Sequence, residues 1–205
     1  LLLSLLQAGA LNASTQAQLQ QLTQDSQCDA LTQTLNRATM LDRIKQAISL
    51  AKRQHSVFAV LFVDLNKFKP VNDQYGHAAG DAVLQQVSAR LLHAIRDSDA
   101  VGRYGGDEFA LLIESVADFE QVSHKASALI EELMHPYLVA GKEVFVGASM
   151  GIACTLASQL GETQKLQATT VDQALHHAKA ALSRTKVVSR GRWLLYEPGM
   201  TPVLG

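Results

Sequence analysis

The sequence predicts an α+β fold in which a mostly antiparallel sheet is flanked by helices. Val57–Val63 is a continuous apolar run, typical of a strand that is buried on both faces. Two further short apolar strands surround Gly105 and Gly106, which favour a tight hairpin because they lack a Cβ atom. Helical segments separate these strands from the rest, and the resulting β-α-β-β-α-β order suggests a ferredoxin-like sheet.

The remaining elements follow from the spacing of apolar residues along the chain. This spacing predicts helices over about 38–53, 119–134 and 171–187. Another helix, the second in chain order, is predicted to begin after Asp81, its N-cap, and to end at about Ile95. Glu143–Cys154 is predicted as one strand after a turn at Ala140 and Gly141, and Arg192–Tyr196 as a final strand.

The composition limits the classes of protein to which this chain can belong. A length of 205 residues with 47% hydrophobic content is enough for one core and an accessory segment. The net charge of −1 gives no basic surface for nucleic acid, so nucleic acid is not an expected partner. Cys28 and Cys154 have no metal or redox spacing, which indicates free thiols in a reducing cytosol.

Residues 1–28 form a Gln- and Leu-rich segment that we interpret as an N-terminal linker or signalling helix. Its apolar stripe fits either a solvated, partly helical tail or a helix that pairs with the same helix of a second copy in a dimer. The heptads are too few to decide between these two interpretations. Leu1–Leu6 is too short to span a bilayer and fits either the trimmed end of a membrane helix or a linker. We therefore expect a cytoplasmic domain, with membrane anchoring of the full-length protein left open.

Three carboxylates are predicted to converge at one edge of the sheet. Asp64 ends the first strand, and Asp107 and Glu108 lie in the Gly-Gly hairpin. A strand-terminal Asp alone is usually a turn residue. In a ferredoxin-like sheet, however, the first and third strands are antiparallel neighbours, which would place Asp64 next to the carboxylates of the hairpin. Oxygen ligands without His or Cys favour Mg²⁺ or Mn²⁺, and Mg²⁺ sites are commonly completed by substrate phosphates. The pattern thus predicts a nucleotide-dependent metal site, with room for two ions about 3.5–4 Å apart.

Two long motifs resemble those of a known family. The run RYGGDEFALLI (103–113) resembles the signature of the GGDEF family, the diguanylate cyclase domains, and DLNKFKPVNDQYGHAAGD (64–81) is similar to the family's other long motif. Asp29–Arg37 and Ala148–Ala153 extend the resemblance over residues 29–197, with 198–205 as a tail. The resemblance implies a nucleotidyl-cyclase palm fold and the condensation of two GTP into cyclic di-GMP and pyrophosphate. It also implies a catalytic homodimer with Mg²⁺ or Mn²⁺, two ions per site.

The resemblance also implies roles for individual residues. These are metal binding by Asp64, Asp107 and the Leu65 carbonyl, support of that site by Glu108, phosphate contacts by Lys69, Lys186 and Arg190, and substrate contacts by Phe68, Asn72 and Asp81. An Asp that accepts from guanine N1–H and N2–H₂, with an Asn that donates to O6, suits guanine and rejects adenine. Without the resemblance, Asn72 and Asp81 would be interpreted as loop and cap residues. Lys179, Ser183 and Ser189 depart from the family's usual Asp, Tyr and Gly.

Arg96 and Asp99 have the spacing of the family's Arg-x-x-Asp inhibitory site, where the product cyclic di-GMP binds. Arg can grip a phosphate or the guanine edge, and Asp can accept from guanine N–H groups. The alternative is an exposed ion pair between residues three apart, which contributes only about 0.2–0.5 kcal/mol.

Two other functions remain open at this point. Leu194–Met200 resembles the exit into the phosphodiesterase domain of two-domain family members, in which the GGDEF half can serve as a regulatory module that binds GTP or product. A cyclase with a mononucleotide product fits the same fold but not the guanine-binding pair or the inhibitory pattern. An attached sensor domain is also compatible with the sequence.

Overall fold

The structure, a computed structural model, describes residues 15, 18, 26–54, 56–154 and 170–203. Within these ranges the helices are α1 (Arg37–Gln54), α2 (Phe68–Tyr75), α3 (His77–Ala94), α4 (Phe119–Met134) and α5 (Val171–Val188). The strands are β1 (Ala59–Asn66), β2 (Ala100–Gly105), β3 (Glu108–Ile113), β4 (Tyr137–Val139), β5 (Lys142–Val144), β6 (Gly147–Cys154) and β7 (Trp193–Leu195).

A five-stranded sheet with the order β2-β3-β1-β6-β7 forms the centre of the fold. The central strand β1 is antiparallel to both β3 and β6, and β7 adds to the edge parallel to β6. The first and third strands are therefore neighbours, as the ferredoxin-like prediction required. The α+β fold class and the mostly antiparallel sheet are confirmed.

Strand β1 is buried on both faces because helices cover each side of the sheet. Leu61 and Val63 pack into one core with residues of α3 and α4, whereas Val60 and Phe62 pack into a second core with residues of α1 and α5. Alternate side chains point to opposite faces, so the unbroken apolar run of β1 serves both cores. Its next residue on the α1 and α5 side after Phe62 is Asp64, at the end of the buried run.

The second predicted helix begins earlier than the sequence indicated. It starts at His77, with Gly76 as its N-cap, so Asp81 lies inside the helix and the N-cap prediction was wrong. Gly76 has a φ of 84°, a value that favours glycine, and this residue separates α2 from α3. The apolar periodicity began only at Val83, because the first turn of α3 contains small and polar residues.

The predicted strand Glu143–Cys154 is two strands, so this prediction was also wrong in its extent. The first part, β5, pairs with β4 in a separate two-stranded hairpin, around the predicted turn at Ala140 and Gly141. The second part begins at Gly147 because this residue pairs with Asn66, the last residue of β1. The ladder to the main sheet cannot extend beyond the end of β1.

The chain termini add little to the described structure. The predicted N-terminal helix over 1–28 lies almost entirely outside the described residues, as does Leu1–Leu6. Residues 198–203 contain neither helix nor strand, and the Val203 amide donates to the Ser183 Oγ of α5 at 3.0 Å. No helix in the described ranges combines the length and the apolar character needed to cross a membrane.

Candidate active site

The sheet brings Asp64 and the β2–β3 hairpin to the same edge. In the β1–β3 ladder, Asp64 is the direct partner of Glu108. The Leu65 amide donates to the Asp107 carbonyl oxygen at 3.3 Å, which extends the pairing by one step. The structure therefore brings Asp64, Leu65, Asp107 and Glu108 together.

The hairpin turn consists of Gly106 and Asp107. Gly106 has a φ of 52°, whereas Gly105 is the last residue of β2, so only one of the two glycines needs a left-handed conformation. The Arg103 guanidinium donates to the Gly106 carbonyl from Nε at 3.0 Å and from Nη2 at 2.8 Å. Its Nη1 lies 3.3 Å from Asp29 Oδ1. These contacts tie the turn that carries Asp107 to the first residues of the domain.

Hydrogen bonds and a neighbouring charge act on the Asp29 carboxyl that makes this contact. Burial acts to raise the pKa of the Asp29 carboxyl, but hydrogen bonds from Thr32 and the charge of Arg103 outweigh burial and lower it. The carboxylate accepts from the Thr32 amide at 2.9 Å and from the Thr32 hydroxyl at 2.8 Å. It therefore stays ionised and can hold Arg103 in place.

The carboxylates of the hairpin are electrostatically strained. Burial and then the neighbouring charge of Asp64 raise the pKa of Asp107. Burial also raises the pKa of Glu108, against an opposing effect of Lys179. Like charges and partial burial both disfavour ionised carboxylates, so this edge favours an additional cation.

Helix α5 supplies two cations to this edge. Lys186 Nζ lies 2.7 Å from Asp64 Oδ2, and Lys179 Nζ lies 4.0 Å from Glu108 Oε2. The two lysines are two helical turns apart and so lie on one face of α5. Arg190 follows at the end of the helix, where its exposed side chain donates from Nε to the Lys186 carbonyl at 3.2 Å.

The position of α5 depends on Gly151 in β6. A Cβ atom on Gly151 would overlap the Ala178 carbonyl oxygen and the Leu182 amide nitrogen of α5. The helix thus approaches the strand so closely that a side chain is excluded. This close approach determines where the lysines of α5 meet the carboxylates.

The oxygen donors at this edge fit a hard divalent cation whose other ligands come from the phosphates of a nucleotide. Asp64 and Asp107 offer carboxylate oxygens, and the Lys186 ammonium already occupies a cation position on Asp64. Among the described residues, no group of three His, Cys, Asp or Glu side chains is arranged to hold a metal ion by itself. Such a site suits Mg²⁺, which usually binds to one or two carboxylates plus phosphates and water.

Helices α2 and α3 carry the residues expected to bind the substrate. A Cβ atom on Gly80 would overlap the Asn72 Oδ1 atom and would lie 3.1 Å from the Phe68 ring. The Asn72 amide therefore lies against α3, one residue from Asp81. Asn72 is half-buried, Asp81 and Lys69 are exposed, and Phe68 is buried in the core on the α3 side of the sheet.

The Asp99 carboxylate is engaged with backbone groups. It accepts from the Arg96 amide at 3.1 Å and from the Glu114 amide at 3.1 Å, and Asp99 is only 8% exposed. Arg96 is exposed, and no ion pair joins it to Asp99 in the described part of the chain. A groove of about 650 Å³ adjoins Asp99 and is also lined by Thr39, Arg43, Gln46 and Leu92.

Comparison with known proteins identifies the family. The family model described as "Diguanylate cyclase, GGDEF domain" matches residues 26–185. The chain belongs to the GGDEF family of diguanylate cyclase domains. This confirms the resemblance and places the paired carboxylates in the GGDEF motif, Gly105–Phe109.

Individual GGDEF proteins resemble the chain over most of its length. It is 42% identical over 153 residues, or 74% of the chain, to the bifunctional diguanylate cyclase/cyclic di-GMP phosphodiesterase MucR of Pseudomonas aeruginosa. It is 35% identical over 171 residues to the diguanylate cyclase TpbB of the same species. The matched regions are 22% of MucR and 39% of TpbB, so the chain spans only a minor part of these relatives.

Solved GGDEF structures have the same fold. The GGDEF domain of TpbB superposes with a TM-score of 0.74 and 34% identity, covering 83% of this chain and 94% of that one. The coiled coil and GGDEF domain of DgcB from Caulobacter crescentus, solved with c-di-GMP, gives a TM-score of 0.79 at 22% identity. It covers 93% of this chain and 96% of that one, and at this identity the likeness shows the fold.

Three residues of this GGDEF domain for which the sequence predicted no role contact the carboxylate edge. Arg103 ties down the hairpin turn, Tyr104 contacts Lys179, and Lys179 pairs with Glu108. The departure of Lys179 from the family's usual Asp was a signal, but the sequence could not show which partner it would find. Tyr104 alternates with Arg103 in β2 and therefore faces the opposite side of the sheet.

Proposed function

We propose that this GGDEF domain is a diguanylate cyclase that condenses two GTP into cyclic di-GMP and two pyrophosphates. The observation that carries the proposal is the cross-strand pair of Asp64 and Glu108, beside Asp107 and with Lys186 on Asp64. This arrangement joins hard metal ligands to a phosphate-binding cation. The names of MucR and TpbB, both diguanylate cyclases, support the same activity.

The residues at the edge have complementary roles in the proposed site. Asp64, Asp107 and the Leu65 carbonyl hold Mg²⁺ or Mn²⁺, two ions per site, with Glu108 in support. When bound, these ions would supply charge stabilisation at the phosphates and would lower the pKa of the attacking hydroxyl. Lys69, Lys186 and Arg190 neutralise the triphosphate, so that Lys186 exchanges Asp64 for a phosphate when GTP binds.

The reaction is two equivalent phosphoryl transfers. The 3′-hydroxyl oxygen of each GTP forms a bond to the α-phosphorus of the other, and the bond from that phosphorus to the β-bridging oxygen breaks. Each transfer releases one proton from the hydroxyl and one pyrophosphate. The protein contributes positioning and charge stabilisation rather than a covalent intermediate.

The site selects guanine through α2 and α3. Asp81 accepts from guanine N1–H and N2–H₂ while the Asn72 amide donates to O6. Adenine presents the opposite pattern on this edge and would leave both side chains unpaired, so ATP is rejected. The Asn72 side chain lies against Gly80, the residue that directly precedes Asp81 in α3.

The proposed reaction requires a homodimer. One domain holds one GTP at its Asp64–Asp107 edge, and the reacting hydroxyl comes from the GTP of a second domain. The rate is therefore expected to depend on the square of the protein concentration at low concentration, since the described residues form one such carboxylate edge. Attached sensor and phosphodiesterase domains in the full-length protein would act by changing how two such edges meet.

Product inhibition is proposed at Arg96 and Asp99. Each Asp99 oxygen accepts one backbone amide and keeps a second lone pair for guanine N–H groups. The backbone bonds hold this carboxylate in place, while the exposed Arg96 guanidinium is available for a phosphate or a guanine edge.

One observation favours the second function, a regulatory module of weak turnover that binds GTP or cyclic di-GMP and controls a phosphodiesterase domain. Lys179 pairs with Glu108 inside the GGDEF motif. In addition, the cyclic di-GMP phosphodiesterase NbdA of Pseudomonas aeruginosa is 34% identical to the chain over 160 residues.

Turnover and binding measured on one preparation separate the two functions. The purified domain is incubated at high concentration with GTP and Mg²⁺, the products are resolved by chromatography, and GTP binding is measured by calorimetry. A cyclase forms cyclic di-GMP in the wild type and none in Asp107→Asn. GTP binding without any product in the wild type would reject the cyclase and leave the regulatory module.

A further inference from the structure

Lys179 lies in a built environment next to the GGDEF motif. Its ammonium is 4.1 Å from the centroid of the Tyr104 ring, 4.5 Å from that of the Phe62 ring and 4.0 Å from Glu108 Oε2. The Phe62 ring is completely buried and meets the Tyr104 ring edge-on, with centroids 5.0 Å apart. The two rings and the carboxylate all attract the ammonium at this position.

The aromatic pair is itself held in place from α1. The Arg37 guanidinium lies 4.4 Å from the Tyr104 ring centroid and donates to the Tyr104 hydroxyl at 3.1 Å. Tyr104 therefore contacts two cations and the buried Phe62 ring. The two rings next to Lys179 are therefore held by contacts within the protein.

The ion pair of Lys179 matters more for the charge at this edge than for the stability of the fold. Its side chain is 37% exposed and that of Glu108 is 35% exposed, and pairs of this kind add little to stability. The charge nevertheless stays close to the carboxylates that hold a divalent cation. Lys186 pairs with Asp64 in the same way, so two of the three carboxylates each have a lysine ammonium next to them.

We propose that Lys179 is a positioning residue that holds Glu108 in an ion pair beside the Phe62 and Tyr104 rings and weakens metal binding to the nucleotide-free domain. The fixed positive charge repels a divalent cation until the GTP phosphates add negative charge and oxygen ligands. Metal and nucleotide then bind together rather than in sequence. The inference rests on the proposed metal site but not on turnover.

The test measures Mn²⁺ binding to the nucleotide-free protein by electron paramagnetic resonance. Lys179→Met removes the charge and keeps an unbranched apolar stem on the two rings. Lys179→Arg keeps the charge. Arg184→Met removes a positive charge from an exposed position of the same helix and serves as the matched control.

Lys179→Met is expected to bind Mn²⁺ about tenfold more tightly than the wild type, whereas Lys179→Arg and Arg184→Met stay within about twofold of it. Circular dichroism verifies the fold, and Lys179→Gln replaces Lys179→Met under the same thresholds if the latter does not fold.

Equal Mn²⁺ affinity in Lys179→Met, the wild type and Arg184→Met would overturn the role of Lys179. An equal gain in Lys179→Met and Arg184→Met would also overturn it, because the effect would then be one of net charge. Asp107→Asn identifies the site that is being measured. If it binds Mn²⁺ as the wild type does, the ion is elsewhere and the proposed metal site fails together with this inference.

Discussion

Asp64 lies directly opposite Glu108 in the β1–β3 ladder, although two helices and a strand separate them along the chain. Two like charges at paired positions of a sheet repel each other. Lys186 and Lys179 offset this repulsion from α5, one on each carboxylate. Several negative charges therefore lie close together at this edge, and the fold tolerates them because α5 supplies cations.

Asp107→Asn is expected to stabilise the metal-free domain at neutral pH. Burial and the Asp64 charge raise the pKa of Asp107, so the ionised carboxylate costs stability as pH rises from the unfolded pKa through the raised folded pKa. Since Asp107 is partly exposed, we expect a gain in Tm of about 1–3 °C at pH 7. The gain should disappear at about pH 3, below the unfolded pKa, where the carboxyl is largely protonated in both the folded and the unfolded state.

Thermal unfolding of Asp107→Asn at the two pH values, without metal, tests this expectation. Asp73→Asn, which removes the same charge from an exposed position of α2, is the control. A lower Tm for Asp107→Asn than for the wild type at pH 7 would show that Asp107 stabilises the fold.

Gly80→Ala is expected to impair GTP binding more than stability. The added Cβ atom would occupy the place of the Asn72 side-chain oxygen, and a side chain can rotate away. Displacing one guanine-binding group predicts a rise in KM for GTP of about tenfold with kcat changed much less. Steady-state kinetics that show a loss in kcat alone would contradict the place of Asn72 in substrate binding.

Gly151→Ala is expected to destabilise the whole domain. Its Cβ atom would overlap backbone atoms of Ala178 and Leu182, which can move only with α5. Overpacking of this kind predicts a loss of about 1–3 kcal/mol in the free energy of unfolding. Gly105→Ala, where a Cβ atom meets no atom within 4 Å, is the matched control in chemical denaturation. Equal stability of the two variants would be incompatible with the close packing of α5 on β6.

Arg96→Ala and Asp99→Ala are expected to separate inhibition from stability. Asp99 accepts two backbone amides, so its loss predicts a cost of about 1–3 kcal/mol in unfolding. The exposed Arg96 side chain can be removed at less than about 0.5 kcal/mol. Rate measurements with added cyclic di-GMP should show inhibition in the wild type and little in Arg96→Ala. Undiminished inhibition in Arg96→Ala would rule out this product site.

Sequence patterns predicted the centre of the fold because burial leaves a local trace. The unbroken apolar run of β1 indicated two covered faces, and the order of the elements then placed Asp64 beside the hairpin. The convergence of the carboxylates was thus predictable from topology and composition alone. Their metal-binding and catalytic roles remain predictions.

Other features were not predictable because they depend on distant partners. The end of β1 at Asn66 decides where β6 begins, so the segment from Glu143 divided into two strands. Gly76 separates α2 from α3 within a stretch that lacks an apolar stripe. The contacts of Lys179 arise only when α5 packs on the sheet, and no local pattern encodes them.

The stoichiometry of turnover tests the central claim most directly. Cyclic di-GMP and pyrophosphate are quantified together during incubation of the purified domain with GTP and Mg²⁺, with Asp107→Asn as the blank. The account predicts two pyrophosphates for each cyclic di-GMP and neither product with the variant. One pyrophosphate per mononucleotide product, or no cyclic di-GMP from a domain that binds GTP, would contradict it.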